Sequence, residues 1–475
     1  MNETKDASGT LPNDSLSSIW DRTKCSQTVD GNSPRIFKLN VDCLEEICHY
    51  LTIRDLLTLG QTCRLMQQVT GEYFKENYTE ASKFGGCYGI YRVFCSDGTE
   101  RPETSGFNKF VRYISHRSND LAPLRYIESN APKFISAKHL FLNGIHLISG
   151  RLRCLQTILN QMEIIQIIQC SMQFDFYESF LKYCGNLKRL YIQNDLGDII
   201  KRNENDWLQK TYAKLEHLEF DGMKVRTFDV SELERFFQLN PNVNSFTTNV
   251  TFLMENQDKF LASNIRLDTF GVKIHRQSFR FRMVDLQLNT MTMTFQLLNQ
   301  LYERGFFKQL HLHVTYIDAE YTNAMMSLYG LEKLCINRII RNSTFNLHRV
   351  NTLKELAIFD ILPTFDVDVL AQELTRLESL YICRATYGDI LAFTRYATKL
   401  NRIILKDTLN LDAKRIKVVT LNEERKKLKN ARKLTIYLPD DVFIASKWAT
   451  VNGETDLKFV KIQRSDSYRW DHYYQ

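Results

Sequence analysis

Five short stretches decide how this chain folds: Leu187-Lys188-Arg189-Leu190-Tyr191-Ile192, Leu215-Glu216-His217-Leu218-Glu219-Phe220, Leu331-Glu332-Lys333-Leu334-Cys335-Ile336, Leu353-Lys354-Glu355-Leu356-Ala357-Ile358 and Leu377-Glu378-Ser379-Leu380-Tyr381-Ile382. Each has an apolar residue, two variable ones, and then two apolar residues separated by one more. On a strand, residues two apart point to the same side, so the second and third apolar positions face one core. The pattern also starts at Met162, Val243, Leu267, Phe307 and Leu400. From Met162 to Leu267 the steps are 25, 28, 28 and 24 residues, and from Phe307 to Leu400 they are 24, 22, 24 and 23. Looser copies begin at Ala137 and Ala431, and the stretch from Phe107 to Ile114 holds a candidate earlier one.

Between these strands, Tyr177 to Cys184, Val230 to Leu239, Val369 to Leu374 and Ile390 to Tyr396 space their apolar residues as helices do. A strand followed by a helix, recurring every ~20–29 residues, is the signature of leucine-rich repeats. One such unit cannot bury its own apolar face, but stacked units share a continuous core. The expected fold is therefore α/β: a curved solenoid of about a dozen repeats, strands concave and helices convex. Its signature is degenerate, because the Asn or Cys expected after the strand is clear only at Cys170. Gly271 to Phe306 fails to index, since a copy built on Met283, Leu286 and Leu288 would start only 16 residues after Leu267. An irregular repeat or an inserted loop is expected there.

Residues 1–35 are rich in Ser, Thr, Asn, Asp and Gly without a sustained apolar period, which predicts a disordered tail. From Leu39 the pattern becomes helical. Asn40 can cap a helix from Val41 to Leu51, with the stripe Leu44, Ile47, Leu51. Thr52 and Asp55 have capping-box spacing and start a second helix that Gly60 can end. A third runs from Thr62 towards Phe74. The consecutive Leu56 and Leu57, with Leu59 close behind, exceed what one stripe on so small a bundle needs, so some of them should face a partner.

The series Leu39-Asn40, Leu44-Glu45-Glu46-Ile47, Tyr50-Leu51, Asp55-Leu56-Leu57-Thr58-Leu59 and Thr62-Cys63-Arg64 resembles an F-box. Two positions depart from the family: Asn40 stands where Pro is usual, and Met66 or Gln67 where Trp is frequent. The resemblance implies docking onto the Skp-type linker subunit of a cullin-RING ubiquitin ligase, through Leu39, Leu44, Ile47, Leu51, Leu56, Leu57, Leu59 and Cys63. It implies a substrate-recognition adaptor without catalysis of its own, with the repeats holding a protein substrate for ubiquitination and proteasomal degradation. Implied boundaries are a tail at 1–35, F-box at 36–80, linker with a possible irregular repeat at 81–130, solenoid at 131–440 and a C-terminal capping segment at 441–475.

On the concave face, the residues alternating with the core would carry substrate: Tyr191, His217, Glu219, His311, His313, Phe359, Tyr381, Arg402 and Lys406. His311 and His313 share a strand face, but two ligands without a third do not make a metal site. No cofactor is expected. The run from Arg425 to Lys433 is the densest basic stretch, and a solvated helix face is the simpler reading of it.

Composition agrees with a soluble protein of cytoplasm or nucleus. The net charge of +7 is a small surplus of 62 basic over 55 acidic residues, not a nucleic-acid footprint. No apolar run is long enough for a membrane span. Eleven irregularly spaced cysteines suit reduced thiols, and Cys43, Cys48, His49 and Cys63 lack paired zinc spacing. No phosphate loop, nucleophile elbow or His-Glu-x-x-His pair is present. Two readings compete with the adaptor: a repeat scaffold whose helices only cap it, and a nucleic-acid binder using the basic run.

Overall fold

The structure, a computed structural model, describes residues 36, 39–78, 105–116, 122–172, 175–193, 205–221, 229–274, 284–339, 347–350, 352–361, 367–408 and 415–465. The expected tail and Met283 lie outside these. Residues 1–46 and 47–475 form two compact units.

Helix α1 (Val41–His49) begins in the first unit at Asn40, whose Oδ1 accepts a bond from the Cys43 N–H at 2.9 Å, and its residues from Ile47 on belong to the second unit. The helix ends two residues before Leu51. There the Tyr50 and Leu51 N–H groups bond back to the Ile47 and Cys48 carbonyls, tightening the last turn. In the second unit, α2 (Ile53–Gly60) is capped by Thr52, whose Oγ accepts from the Asp55 N–H at 3.2 Å. Helix α3 (Arg64–Asn77) starts on Cys63, whose sulfur takes the Met66 N–H at 3.5 Å.

Among the described residues, the repeats form one sheet of fourteen strands, in chain order and parallel throughout. They are β1 (Tyr113–His116), β2 (His139–Asn143), β3 (Ile164–Ile168), β4 (Arg189–Gln193), β5 (His217–Asp221), β6 (Ser245–Asn249) and β7 (Leu267–Ile274). Then come β8 (Phe307–Ile317), β9 (Leu331–Ile339), β10 (Glu355–Ile361), β11 (Ser379–Ala385), β12 (Arg402–Thr408), β13 (Leu434–Leu438) and β14 (Val460–Arg464). Parallel neighbours need a crossover, and the intervening helices supply it. The sequence pattern sets the register: Leu190 pairs with Leu218, and Leu334 with Leu356 and then Leu380. These five side chains are at most 1% exposed. Each contributes roughly 1.5–3 kcal/mol of apolar burial, so the aligned ladder is the core that holds the repeats together.

The irregular stretch resolves differently from a strand copy. Leu286 and Leu288 lie in a twenty-residue helix, α4 (Val284–Glu303), and β8 pairs directly with β7, Leu312 beside Val272. Their spacing of two suits a strand, but the apolar and small residues around them continue into a helical run. The segment expected as a C-terminal cap holds helix α7 (Asp440–Trp448) and β14, which joins the sheet beside β13.

Candidate functional site

Ile53, Leu56, Leu57 and Gly60 are all buried and are spaced i, i+3, i+4, i+7, the single stripe of one helix face. Of the three leucines of which some were expected to face a partner, Leu56 and Leu57 are 0% and 2% exposed and support α2 from within, while Leu59 is the one left partly open. Ile47, Leu51, Leu59 and Cys63 are half-buried, so part of each side chain remains open. In the first unit Leu44 is buried and Leu39 is 40% exposed.

Helices α2 and α3 meet the sheet near both its edges. Ahead of β1, Phe107 lies so close to Gly60, and Phe110 to Gly71, that a Cβ would fall 2.6 Å and 1.9 Å from the rings. From β14, Arg464 reaches the turn between α1 and α2. Its Nη2 donates to the His49 and Leu51 carbonyls at 2.9 Å each and to that of Cys48 at 3.5 Å. Its Nε donates to the Tyr73 hydroxyl at 3.1 Å, and Asp440 forms an ion pair with it. The guanidinium lies 4.8 Å from the Phe443 ring centre and 5.3 Å from that of Tyr78. Sequence reasoning missed this residue. Arg464 follows Val460 and Ile462 on the same face of the strand, one alternation beyond the last apolar position of the repeat pattern, so the pattern did not single it out.

The strand face also differs from expectation. Of the residues expected to carry substrate, Tyr191, His217, Glu219, His313 and Tyr381 are buried; His311, Phe359 and Arg402 are half-buried, and Lys406 is exposed. Strands about 4.8 Å apart bring long side chains of adjacent repeats into contact, so they cover one another. Tyr191 packs on His217 with ring centres 5.0 Å apart, and His217 Nδ1 pairs with Ser245 Oγ at 2.8 Å. His313 Nε2 pairs with Asn337 Oδ1 at 2.9 Å.

At the centre of this face Lys273 reaches across β6 to Glu219 at 2.5 Å and to Asp221 at 3.3 Å. All three side chains are buried. Asn249 links the group to the fold: its Nδ2 donates to Asp221 and its Oδ1 accepts from the Phe252 N–H. Burial alone would pull the ammonium down, but the two carboxylates outweigh it and push it up to about 12. Sequence reading put Glu219 on this face but did not name Lys273, because β7 joins the ladder only once register is known. Further along, Cys335, Ala357, Tyr381 and Ile404 form an apolar cluster against Phe359, Cys383 and Tyr437.

The basic run is divided by its own folding. Arg425, on α6 (Val418–Lys426), is buried and donates to the carbonyls of Ala397 at 2.7 Å and Leu400 at 2.6 Å, closing the end of α5 (Tyr387–Tyr396). Burial pulls its guanidinium down to about 10. Lys427 pairs with Glu424, Arg432 with Glu378 and Lys433 with Asp456. Burial pushes the thiols of Cys154 and Cys170 up to about 11, which keeps them as unreactive packing groups. Among the described residues, no group of three or more His, Cys, Asp or Glu is placed to hold a metal, and no helix is long and apolar enough to cross a membrane.

Compared with known proteins, no curated protein matches the chain. Among solved structures, an internalin from Listeria monocytogenes aligns over 76% of this chain and 84% of its own, at 14% identity and a TM-score of 0.25. The model of the F-box domain matches residues 36–76, so the helices α1 to α3 that precede the parallel-stranded solenoid carry an F-box domain.

Proposed function

We propose that this chain is the substrate-recognition adaptor of an SCF-type ubiquitin ligase, binding the Skp-type linker subunit through its F-box and a protein substrate through its repeats. The observation that carries this reading is the F-box match at residues 36–76, on helices that fold as three short capped segments. The chain itself performs no covalent step. It raises the local concentration of a substrate lysine beside a charged ubiquitin-conjugating enzyme, in the cytoplasm or nucleus. Leu39, Ile47, Leu51, Leu59 and Cys63 are the candidates for direct linker contact, while Leu44, Leu56 and Leu57 support them. His311, Phe359, Arg402 and Lys406 are the candidates for substrate contact.

The test is capture of purified linker subunit by the full chain. Leu59→Asp and Leu51→Asp alter half-exposed positions and are expected to reduce capture at least about tenfold with little change in Tm. Wild type that captures no linker overturns the reading. It would instead favour an interaction scaffold capped by its helices, a role consistent with the close packing of Gly60 and Gly71 against Phe107 and Phe110.

A further inference from the structure

The carbonyls at the end of a helix lack intrahelical partners and ordinarily turn to water or to a nearby residue. At the end of α1 they turn to Arg464, which follows His49 by 415 residues. A guanidinium is expensive to bury unless every face of it is engaged. Here carbonyls, a carboxylate, a phenol and aromatic rings engage it, leaving the residue 1% exposed. The planar fork satisfies several acceptors at fixed angles, so it fixes the direction in which the chain leaves α1 for α2.

The outer side of the same turn meets the same C-terminal repeat. Tyr50 packs on Trp448 with ring centres 4.8 Å apart, and Lys447 Nζ lies 4.7 Å over the Tyr50 ring. Gly453, in the left-handed region at φ 65°, admits the Tyr50 hydroxyl where a Cβ would lie 1.8 Å from it. Leu51, the next residue, is half-buried and has its carbonyl held by Arg464.

We infer that the C-terminal repeat, α7 to β14, completes the F-box, and that Arg464 is the residue that positions its α1–α2 turn for the linker subunit. The inference rests on the adaptor reading for the partner's identity. It makes linker binding a property of the whole folded chain, not of the 36–76 segment alone.

The experiment measures linker affinity of the full chain by titration, together with amide hydrogen exchange. Wild type is compared with Arg464→Gln, Arg464→Lys and Asp440→Asn. Arg464→Gln should weaken the linker about tenfold or more and expose the amides of residues 50–56, while strands β4 to β12 keep their protection. Arg464→Lys, which keeps charge but loses the fork, should recover less than half of the affinity lost on a logarithmic scale. If Arg464→Gln loses protection throughout the sheet, Asp440→Asn decides, since it removes the ion pair and loosens Arg464 while keeping the arginine and its carbonyl acceptors. Weaker linker binding with an intact sheet supports the inference, and wild-type binding overturns it. Variants that bind as wild type does overturn this inference alone. Wild type that fails to bind overturns the adaptor reading and this one with it.

Discussion

One row of side chains crosses the sheet on the face opposite the core, and its two halves are built from opposite chemistry. Gln193 lies beside Asp221, and Asn249, Lys273 and His313 follow in register. His313 then pairs with Cys335, and from there the row is Ala357, Tyr381 and Ile404. The backbone is the same parallel ladder throughout, so the ladder does not dictate what holds the face opposite the core together. In the first half, Asp221 takes an amide proton from Asn249 and pairs with Lys273, so directional contacts hold the row there. In the second, contact area suffices, and loss of one atom loses only that atom's share.

The largest effect is expected where a member of the first half is removed. Lys273→Met leaves two buried carboxylates without their cation, which should destabilise the fold by about 3–5 kcal/mol, read as a drop in Tm. Combining it with Glu219→Gln and Asp221→Asn should recover most of that loss; no recovery would mean that the charges do not act as a unit. An intermediate effect is expected at high pH. The Lys273 ammonium is held above its unfolded value, so its stabilisation is complete below about pH 10.4 and is lost as pH rises through about 12. Denaturant titrations across that window should show a shallower fall for Lys273→Met than for wild type; parallel curves would refute the assignment. The smallest effect belongs to the apolar half. Ile404→Val removes one methylene from the cluster and should cost about 0.5–1.5 kcal/mol. A cost as large as that of Lys273→Met would erase the distinction between the halves.

The parallel ladder was legible in the sequence because each core pair, such as Leu356 and Ile358, recurs at repeat spacing and needs no distant information. Helix α2 was legible through Thr52 and Gly60, but which of Leu56, Leu57 and Leu59 stays open was not, because Ile53 and Gly60 complete the stripe that buries the first two. The burial of Tyr191, His217 and Tyr381 was hidden for a different reason. Alternation along a strand tells which face a residue takes, but not how deeply its neighbours on adjacent strands cover it. Lys273 and Arg464 were least legible, since each acts on groups from other repeats, and only the register of β5 to β7 or the return of β14 to α1 brings those groups together.

The span between His49 and Arg464 also has a meaning in time. At ~5–20 residues per second of synthesis, a separation of 415 residues means that the carbonyls at the end of α1 wait on the order of 20–80 s before their arginine is made. During that interval, by the inference above, the turn from α1 to α2 lacks the residue that positions it. A nascent or prematurely terminated chain would therefore present its F-box unfinished, and if the chain is the adaptor proposed above, the linker subunit would meet a finished F-box only after the repeats had been made.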